Sequence, residues 1–183
     1  MSMMVSNQRT IILANTTFAP TVGAANYFGS RTHQLELKAL GVGAYRQSTK
    51  FAFNAVRSNR WIVDAAIEPK GAPTAGGAVN IWIGYSNSAT AAEDNKANLT
   101  GADAAYVGYG AAAADATEAV KLLDYVGSIM STADDAIFTG EVGIIEPKLP
   151  YGIIVVQNNL NVSLEDGDSI EMCVRIRELS PAR

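Results

Sequence analysis

The chain has few residues of the types that most often carry chemistry. Among its 183 residues there are one cysteine and one histidine, and charged residues make up 17%. A single cysteine excludes an internal disulfide, and one cysteine with one histidine argues against a transition-metal site. The charged fraction lies below the roughly 25% that is typical of soluble proteins. We therefore expect a protein that works through its surfaces, is not an enzyme and holds no cofactor.

Basic residues and long apolar runs are also scarce. The 14 Lys and Arg residues are outnumbered by 18 Asp and Glu residues, which gives a formal net charge of −4 at pH 7. Because proteins that bind nucleic acid usually carry a basic excess, we expect no nucleic-acid partner. No apolar run reaches the roughly 18 residues of a transmembrane helix, and the start of the chain lacks the pattern of a signal peptide. We expect synthesis in a cytoplasm and no membrane partner.

The sequence does have an alternation of apolar and polar residues with a period of two. In the clearest case, 61–68, apolar side chains from Trp61 to Ile67 alternate with a face that carries Asp64. Such alternation is typical of a half-buried strand. Seven or eight short strands of this kind predict a mainly β protein with a single domain over 1–183, an antiparallel β-sandwich. The predicted strands are 9–14, 33–40, 50–56, 61–68, 81–85, 138–144, 151–157 and 170–176.

Three segments carry further information on the strands. The run 151–157 is nearly all apolar, which predicts a central strand covered on both faces. The Pro and Gly residues of 69–77 predict a long hairpin between the strands on either side. The Asp-Gly pair within 165–168 predicts another hairpin turn before the strand at 170–176.

One segment follows a helical period instead. Asp115 and Glu118 have the spacing of a capping box, with Asp115 as the N-cap. Apolar residues then recur at helical spacing, and Gly127 is placed to end the run. We predict a short helix over 116–127. The apolar residues of its stripe are Val120, Leu123 and Val126.

A long irregular segment, 86–114, precedes this helix and is called the excursion below. It is dominated by Ala, Gly, Asn, Ser and Asp, yet it contains Tyr106, Val107 and Tyr109. Structureless loops of this length are uncommon inside a compact domain, and flexible linkers rarely contain aromatic residues. We expect the excursion to hold a short strand and to pack on this protein or on a neighbour.

The two residues most suited to catalysis lack partners at a recognisable spacing. His33 begins a predicted strand, and no nucleophile or orienting acid accompanies it, so we interpret it as a strand-end residue at the sheet rim. Cys173 falls on the polar face of its strand. A nucleophilic cysteine usually needs a histidine partner, so we interpret Cys173 as a small residue under a loop or at an interface.

Carboxylates are more frequent. Acidic groups at 93–94, 103, 134–135 and 165–168 offer the oxygen ligands that calcium prefers, but none has the spacing of an EF-hand loop. Because that spacing is absent we predict no metal site, and calcium at these oxygens stays the open alternative. A third class of function is a β-sandwich hydrolase, which would need two acidic residues to converge in a cleft.

Two passages resemble small structural proteins of tailed bacteriophages. The first reads IWIGYSNSATA at 81–91 and is continued by Asp94-Asn95 and by LTGADAAYVGY at 99–109. The second reads LPYGIIVVQNN at 149–159. The resemblance implies a jelly-roll-like sandwich that serves as a decoration, or cement, protein on the capsid surface of the virion. It also implies that the partners are the major capsid protein and copies of the chain itself, as a dimer or trimer.

The candidate contact residues follow from this resemblance and from their type. They are Trp82, Tyr85, Leu99, Tyr106 and Tyr109. The apolar segment 1–7 is a candidate arm that docks on a neighbour, whereas Trp61 is expected in the core. Two alternatives stay open: a structural module of the tail or head-to-tail region, and a carbohydrate-binding module that uses Trp82 and the tyrosines. A small-molecule ligand is otherwise not expected.

Overall fold

Most strands of the structure are formed by segments in which apolar and polar residues alternate. The structure is a computed structural model that describes residues 9–18, 29–53, 59–110, 113–130, 136–166 and 172–179. Within these ranges there are eleven strands and one short α-helix, α1, at Ala113–Ala119. The strands are β1 Thr10–Ala14, β2 His33–Gln34, β3 Tyr45–Gln47, β4 Phe51–Ala52, β5 Trp61–Ile67, β6 Ala78–Ser86, β7 Ala104–Ala105, β8 Asp124–Ile129, β9 Phe138–Ile145, β10 Tyr151–Asn159 and β11 Cys173–Glu178.

The strands form two sheets that pack face to face. Sheet 1 has the order β2-β1-β11-β5-β9, and sheet 2 has the order β7-β3-β10-β6-β8, with β4 pairing to β10 beyond the end of β3. Every pairing is antiparallel except that of β1 with β2. The prediction of a mainly β, antiparallel sandwich is confirmed. The jelly-roll path stays a prediction.

The main core lies between the two sheets and is built by the inward half of each alternation. Trp61 and Val63 of β5 are fully buried there, which confirms the core position expected for Trp61. Burying a large apolar side chain contributes about 1.5–3 kcal/mol, so the alternation also supplies much of the driving force for folding. Sheet 2 supplies the opposing residues, among them Ile81, Ile83, Ile154 and Val156.

Sheet 2 is also covered on part of its outer face. Ile153 and Val155 of β10 point away from the main core and belong to a second apolar cluster with Leu99 and Tyr106. Leu99 lies directly over Gly84, where an added Cβ would come within 2.3 Å of the leucine Cδ1. Coverage on both faces explains the continuous apolar run of β10, and the prediction of a central strand there is confirmed.

Both predicted hairpins are wrong. Strand β5 lies in sheet 1 and β6 in sheet 2, so 69–77 crosses between sheets instead of turning back within one. Strand β10 lies in sheet 2 and β11 in sheet 1, so the connection that includes Glu165 and Asp166 also crosses between sheets. Gly167 and Asp168 lie outside the described residues. Turn residues show where a strand ends but not which strand it pairs with.

The predicted helix over 116–127 is correct only in its first half. Helix α1 begins at Ala113, so Asp115 lies within its first turn and is not the N-cap. A 3-10 turn, Val120–Leu122, continues the helix, and the chain then enters β8, which pairs with β6. Pairing with β6 supplies backbone hydrogen bonds across 124–129 that compete with the helical ones.

The sandwich closes on one side where the edge strands β8 and β9 meet. Their backbones come so close that a Cβ at Gly127 would lie 2.2 Å from the carbonyl oxygen of Val142. A Cβ at Gly143 would lie 2.3 Å from that of Val126. Glycine at both positions is therefore required by the approach of the two strands.

Other predicted strands are shorter in the structure. The strand predicted at 33–40 is reduced to β2, although Leu35 and Leu37 are buried as its alternation implied. The strand predicted at 50–56 is reduced to β4 among the described residues, and 54–56 lie outside them. Strands β3 and β8 were not expected, whereas β7 is the short strand expected in the excursion. The candidate arm 1–7 also lies outside the described residues.

Candidate binding surface

Three of the five candidate contact residues are interior. Tyr85 faces the main core, and Leu99 and Tyr106 belong to the second apolar cluster. The hydroxyl of Tyr106 donates to the carbonyl oxygen of Ala97 at 2.7 Å, and burial raises the pKa of this phenol to about 12. These three are corrected from contact residues to core residues, since buried side chains of a folded chain cannot meet a partner.

The other two candidates reach the surface at separate places. Trp82 is half-buried on the outer face of sheet 2, and Tyr109, which follows β7, is 66% exposed. The sequence could not separate these two from the buried three, because all five are large apolar or aromatic residues in similar contexts. Which of the candidate residues in the excursion are buried depends on how the excursion folds.

The excursion packs on its own sheet between residues 97 and 106. Strand β7 pairs with β3, which confirms the expected short strand. Asp103 fixes this part, since one of its carboxylate oxygens accepts from Nε of Arg46 at 2.7 Å and from the backbone N–H of Glu36 at 3.1 Å. Of the two expectations for the excursion, packing on this protein is correct for these residues.

The first turn of the excursion is organised by Lys50. Its ammonium group donates to Oγ of Ser86 at 2.9 Å and to three backbone carbonyl oxygens, those of Ser88 at 3.0 Å, Thr90 at 2.6 Å and Glu93 at 2.9 Å. Burial lowers the pKa of Lys50, and the nearby carboxylate of Asp94 acts against this shift. The loop therefore surrounds a cation that the chain itself supplies.

Beyond β7 the surface carries an apolar depression, called the β7 pocket below. Its volume is about 240 Å³. Val107, which is 44% exposed, is on its wall, and Tyr109 follows two residues later. Val42, also exposed, directly precedes the lining residue Gly43. The full lining is Gly43, Ala44, Tyr45, Ala105, Tyr106, Val107 and Ala116.

A second feature, called the aromatic–amide row below, crosses the outer face of sheet 2. It consists of Tyr45, Gln157, Asn80, Trp82 and Tyr125. Strand register places Gln157 of β10 opposite both Asn80 of β6 and Tyr45 of β3. The amide of Asn80 donates to Oε1 of Gln157 at 3.0 Å, and the amide of Gln157 donates to the Tyr45 hydroxyl at 2.8 Å.

Two rings complete this row. Trp82 and Tyr125 are direct partners in the pairing of β6 with β8, and their ring centroids lie 5.5 Å apart at an interplanar angle of 60°. Tyr125 is exposed, and its hydroxyl lies 3.5 Å from Oδ1 of Asn80. Sequence reasoning found Trp82 but missed Asn80, Tyr125 and Gln157, because only the strand pairing brings them together.

The two candidate catalytic residues have structural positions. Cys173 lies on the strand face that carries Arg175, as expected, and is fully buried there with Ile12 and Ala66 beneath Phe18 and Ile137, which confirms its expected place under a loop. Burial raises the pKa of its thiol to about 12, which keeps the sulfur protonated at neutral pH.

His33 lies in β2 at the edge of sheet 1, which confirms the rim position. Its Nδ1 is 3.0 Å from the hydroxyl of Thr32, and its ring meets Phe51 edge-on with centroids 5.9 Å apart. Burial lowers the pKa of His33, and the positive charge of Arg9 lowers it further. The imidazole is therefore neutral at neutral pH and engaged in packing.

An ion cluster on the outer face of sheet 1 was not expected. The buried carboxylate of Asp64 accepts from Nε of Arg175 at 3.0 Å and from Nε of Arg177 at 2.7 Å. Alternation had placed all three residues on polar strand faces, but the pairing of β5 with β11 could not be read from the sequence. The Asp64 carboxylate thereby links β5 to β11.

The acidic groups considered for calcium are engaged elsewhere where the structure describes them. Asp94 accepts from the backbone N–H of Asn87, and Asp166 pairs with Lys70. In the described part of the chain no three His, Cys, Asp or Glu side chains converge on a possible metal position. The pair at 134–135 lies outside that part. None of the helices described is long and apolar enough to cross a membrane.

Comparison with known proteins adds no family. The sequence matches no protein-family model and no curated protein. The class of this protein therefore rests on its fold, a mainly β sandwich of two sheets with the excursion folded onto one of them.

Proposed function

We propose that the chain is a non-enzymatic structural protein of a bacteriophage virion, a decoration protein on the capsid surface. In this role it bridges and stabilises subunits of the major capsid protein, after synthesis in the cytoplasm of the host. The observation that carries the proposal is the β7 pocket with exposed Val107 and Tyr109 beside it. Both residues belong to 99–109, which is part of the first passage that resembles phage structural proteins.

The chemistry of this surface suits assembly. A pocket of about 240 Å³ has room for an apolar side chain of a partner, and such anchors in pockets often dominate binding energy. Exposed apolar residues beside it enlarge the contact. Because a decorating chain binds at many places on one shell, and bridges subunits there, modest affinity at each contact is sufficient. Association of the chain into dimers or trimers is part of the same proposal.

The test uses capsid shells assembled from the major capsid protein of the genome that encodes this chain. Purified protein is mixed with shells that lack it, and co-sedimentation and the rupture temperature of the shells are measured. We expect saturable binding and a higher rupture temperature. Val107→Asp places a charge at the pocket and is expected to weaken binding by at least about tenfold.

The matched control is Ile144→Asp, on β9 of sheet 1. Ile144 is 43% exposed and Val107 is 44% exposed, so both substitutions add one charge at similar exposure. The control is expected to bind as the unmodified chain does. Absence of binding and of stabilisation contradicts the proposal. Equal loss of binding in both variants would remove the pocket from the contact.

A further inference from the structure

We propose that the aromatic–amide row on the outer face of sheet 2 is a binding site for a neutral oligosaccharide. This activity is additional to attachment to a capsid, and the row has one residue, Tyr45, in common with the lining of the β7 pocket. The juxtaposition that carries it is a line of two carboxamides and two phenols with the indole of Trp82 on the outer face of sheet 2, buried at Tyr45 and exposed at Tyr125.

The polar groups have hydrogen-bonding capacity beyond what they use among themselves. Each carboxamide has two N–H donors and an oxygen with two lone pairs. The bond from Asn80 to Gln157 and the bond from Gln157 to Tyr45 use one N–H of each amide. These bonds also fix the side chains in place, so a ligand meets groups that are already oriented. Sugar hydroxyls both donate and accept, which matches such a mixed set.

The rings supply the apolar part of the site. Trp82 is held from both sides, since its ring centroid lies 6.2 Å from that of Tyr45 and 5.5 Å from that of Tyr125. Tyr125 is exposed at the edge of the row. Aromatic faces carry negative charge density and attract the polarised C–H groups of a pyranose ring.

The register of the sheet gives the row a regular spacing. Its side chains come from β3, β10, β6 and β8, which are consecutive strands of sheet 2. Neighbouring strands lie about 4.8 Å apart, which is close to the rise per residue of an extended sugar chain. A linear oligosaccharide laid across the strands therefore meets a new side chain with each sugar unit.

The charge of the surroundings favours a neutral ligand over an acidic or basic one. The row contains phenols, carboxamides and one indole, and none of these is an ionic group at neutral pH. Asp124, which directly precedes Tyr125 in β8, forms an ion pair with Lys148. Glu118 of α1 forms an ion pair with Lys121. A net charge on the ligand would gain no counter-charge from the row.

The test is a glycan array of neutral glucose, galactose and N-acetylglucosamine oligomers, with acidic glycans included, followed by titration of the bound members. We expect saturable binding to neutral oligomers that strengthens with chain length up to the span of the row. Tyr125→Ala and Gln157→Ala are each expected to weaken it by at least about tenfold. Ile144→Ala, which removes an exposed apolar side chain from β9 of sheet 1, is expected to leave it unchanged.

Unfolding curves of each variant show that the loss is local. Binding to no neutral glycan, a preference for acidic glycans, or equal binding by Tyr125→Ala would overturn the inference. Co-sedimentation of the same variants with shells separates it from the proposed function. If Tyr125→Ala and Gln157→Ala keep shell binding and lose glycan binding, the chain has two sites. If these variants lose shell binding and the unmodified chain binds no glycan, the row belongs to assembly instead.

Discussion

Lys50 acts at the residue scale as an internal cation for the turn that starts the excursion. Its ammonium group meets four oxygen acceptors between 2.6 and 3.0 Å, and its backbone N–H donates to the carbonyl oxygen of Gly101 at 2.9 Å. One residue thereby connects both ends of a turn and the segment after it. Charge-assisted bonds of this kind are stronger than neutral ones.

Replacing Lys50 by methionine keeps an unbranched apolar stem and removes the charged ammonium group. We expect the free energy of unfolding to fall by about 2 kcal/mol, because the charge-assisted bonds to the turn are lost. Urea denaturation measures the change. Lys38→Met is the control, since Lys38 is exposed, and its effect should stay within about 0.5 kcal/mol. Equal effects of the two substitutions would show that the four contacts do not hold the turn.

His33 gives the protein an acid-sensitive position. Burial and Arg9 hold the pKa of His33 in the folded chain below its usual value of about 6.5. The unfolded chain therefore binds a proton at higher pH than the folded chain does, and stability falls as the pH drops below about 6.5. Since this is the single histidine, an NMR titration reads its pKa directly. A midpoint at or above 6.5 would contradict this assignment.

At the scale of elements, the excursion behaves as part of the domain. Leu99→Ala removes a buried side chain that lies over Gly84, and we expect a loss of about 2–5 kcal/mol in unfolding free energy. Leu122→Ala, at a residue that is 58% exposed, is the control and should change it by less than about 0.5 kcal/mol. Chemical denaturation with circular dichroism compares them. A loss below 1 kcal/mol for Leu99→Ala would mean that the excursion is loosely attached.

The strands best predicted from the sequence carry a long signal, which is an alternation over seven residues in β5 and a nearly continuous apolar run in β10. Strands β3 and β7 have three and two residues, which is too short for a period to be recognised. The sequence of β8 predicts a helix instead of a strand. The reason is a bulge, because the register with β6 shifts between Ile81 and Trp82 and leaves Val126 as an extra residue. That bulge breaks the alternation and leaves apolar residues three apart.

At the scale of the whole molecule, the candidate surfaces could be predicted only in part. Trp82 and Tyr109 were recognisable as aromatic residues without a clear place in a core. Asn80, Gln157 and Tyr125 became candidates only through the order of sheet 2, which joins residues up to 112 positions apart in the sequence. Long-range pairing of this kind leaves no local signal in one sequence.

The same order gives the molecule two surfaces with different chemistry on neighbouring parts of sheet 2. The β7 pocket is apolar and lies beside the short edge strand β7. The aromatic–amide row is mixed and lies across the inner strands and β8. The two surfaces share the buried Tyr45, so our two proposals together require that a chain fixed to a shell through the pocket keeps the exposed end of the row, at Tyr125, available to solvent.

The central claim is that this chain decorates a capsid. Its most direct test is imaging of shells of the cognate major capsid protein by electron cryomicroscopy, with and without the purified chain. The account predicts added density for a two-sheet sandwich on the outer surface at regular positions between subunits, with the β7 pocket turned toward the shell and density missing for Val107→Asp. Shells that look identical with and without the chain, under conditions where it is folded and in excess, would contradict it.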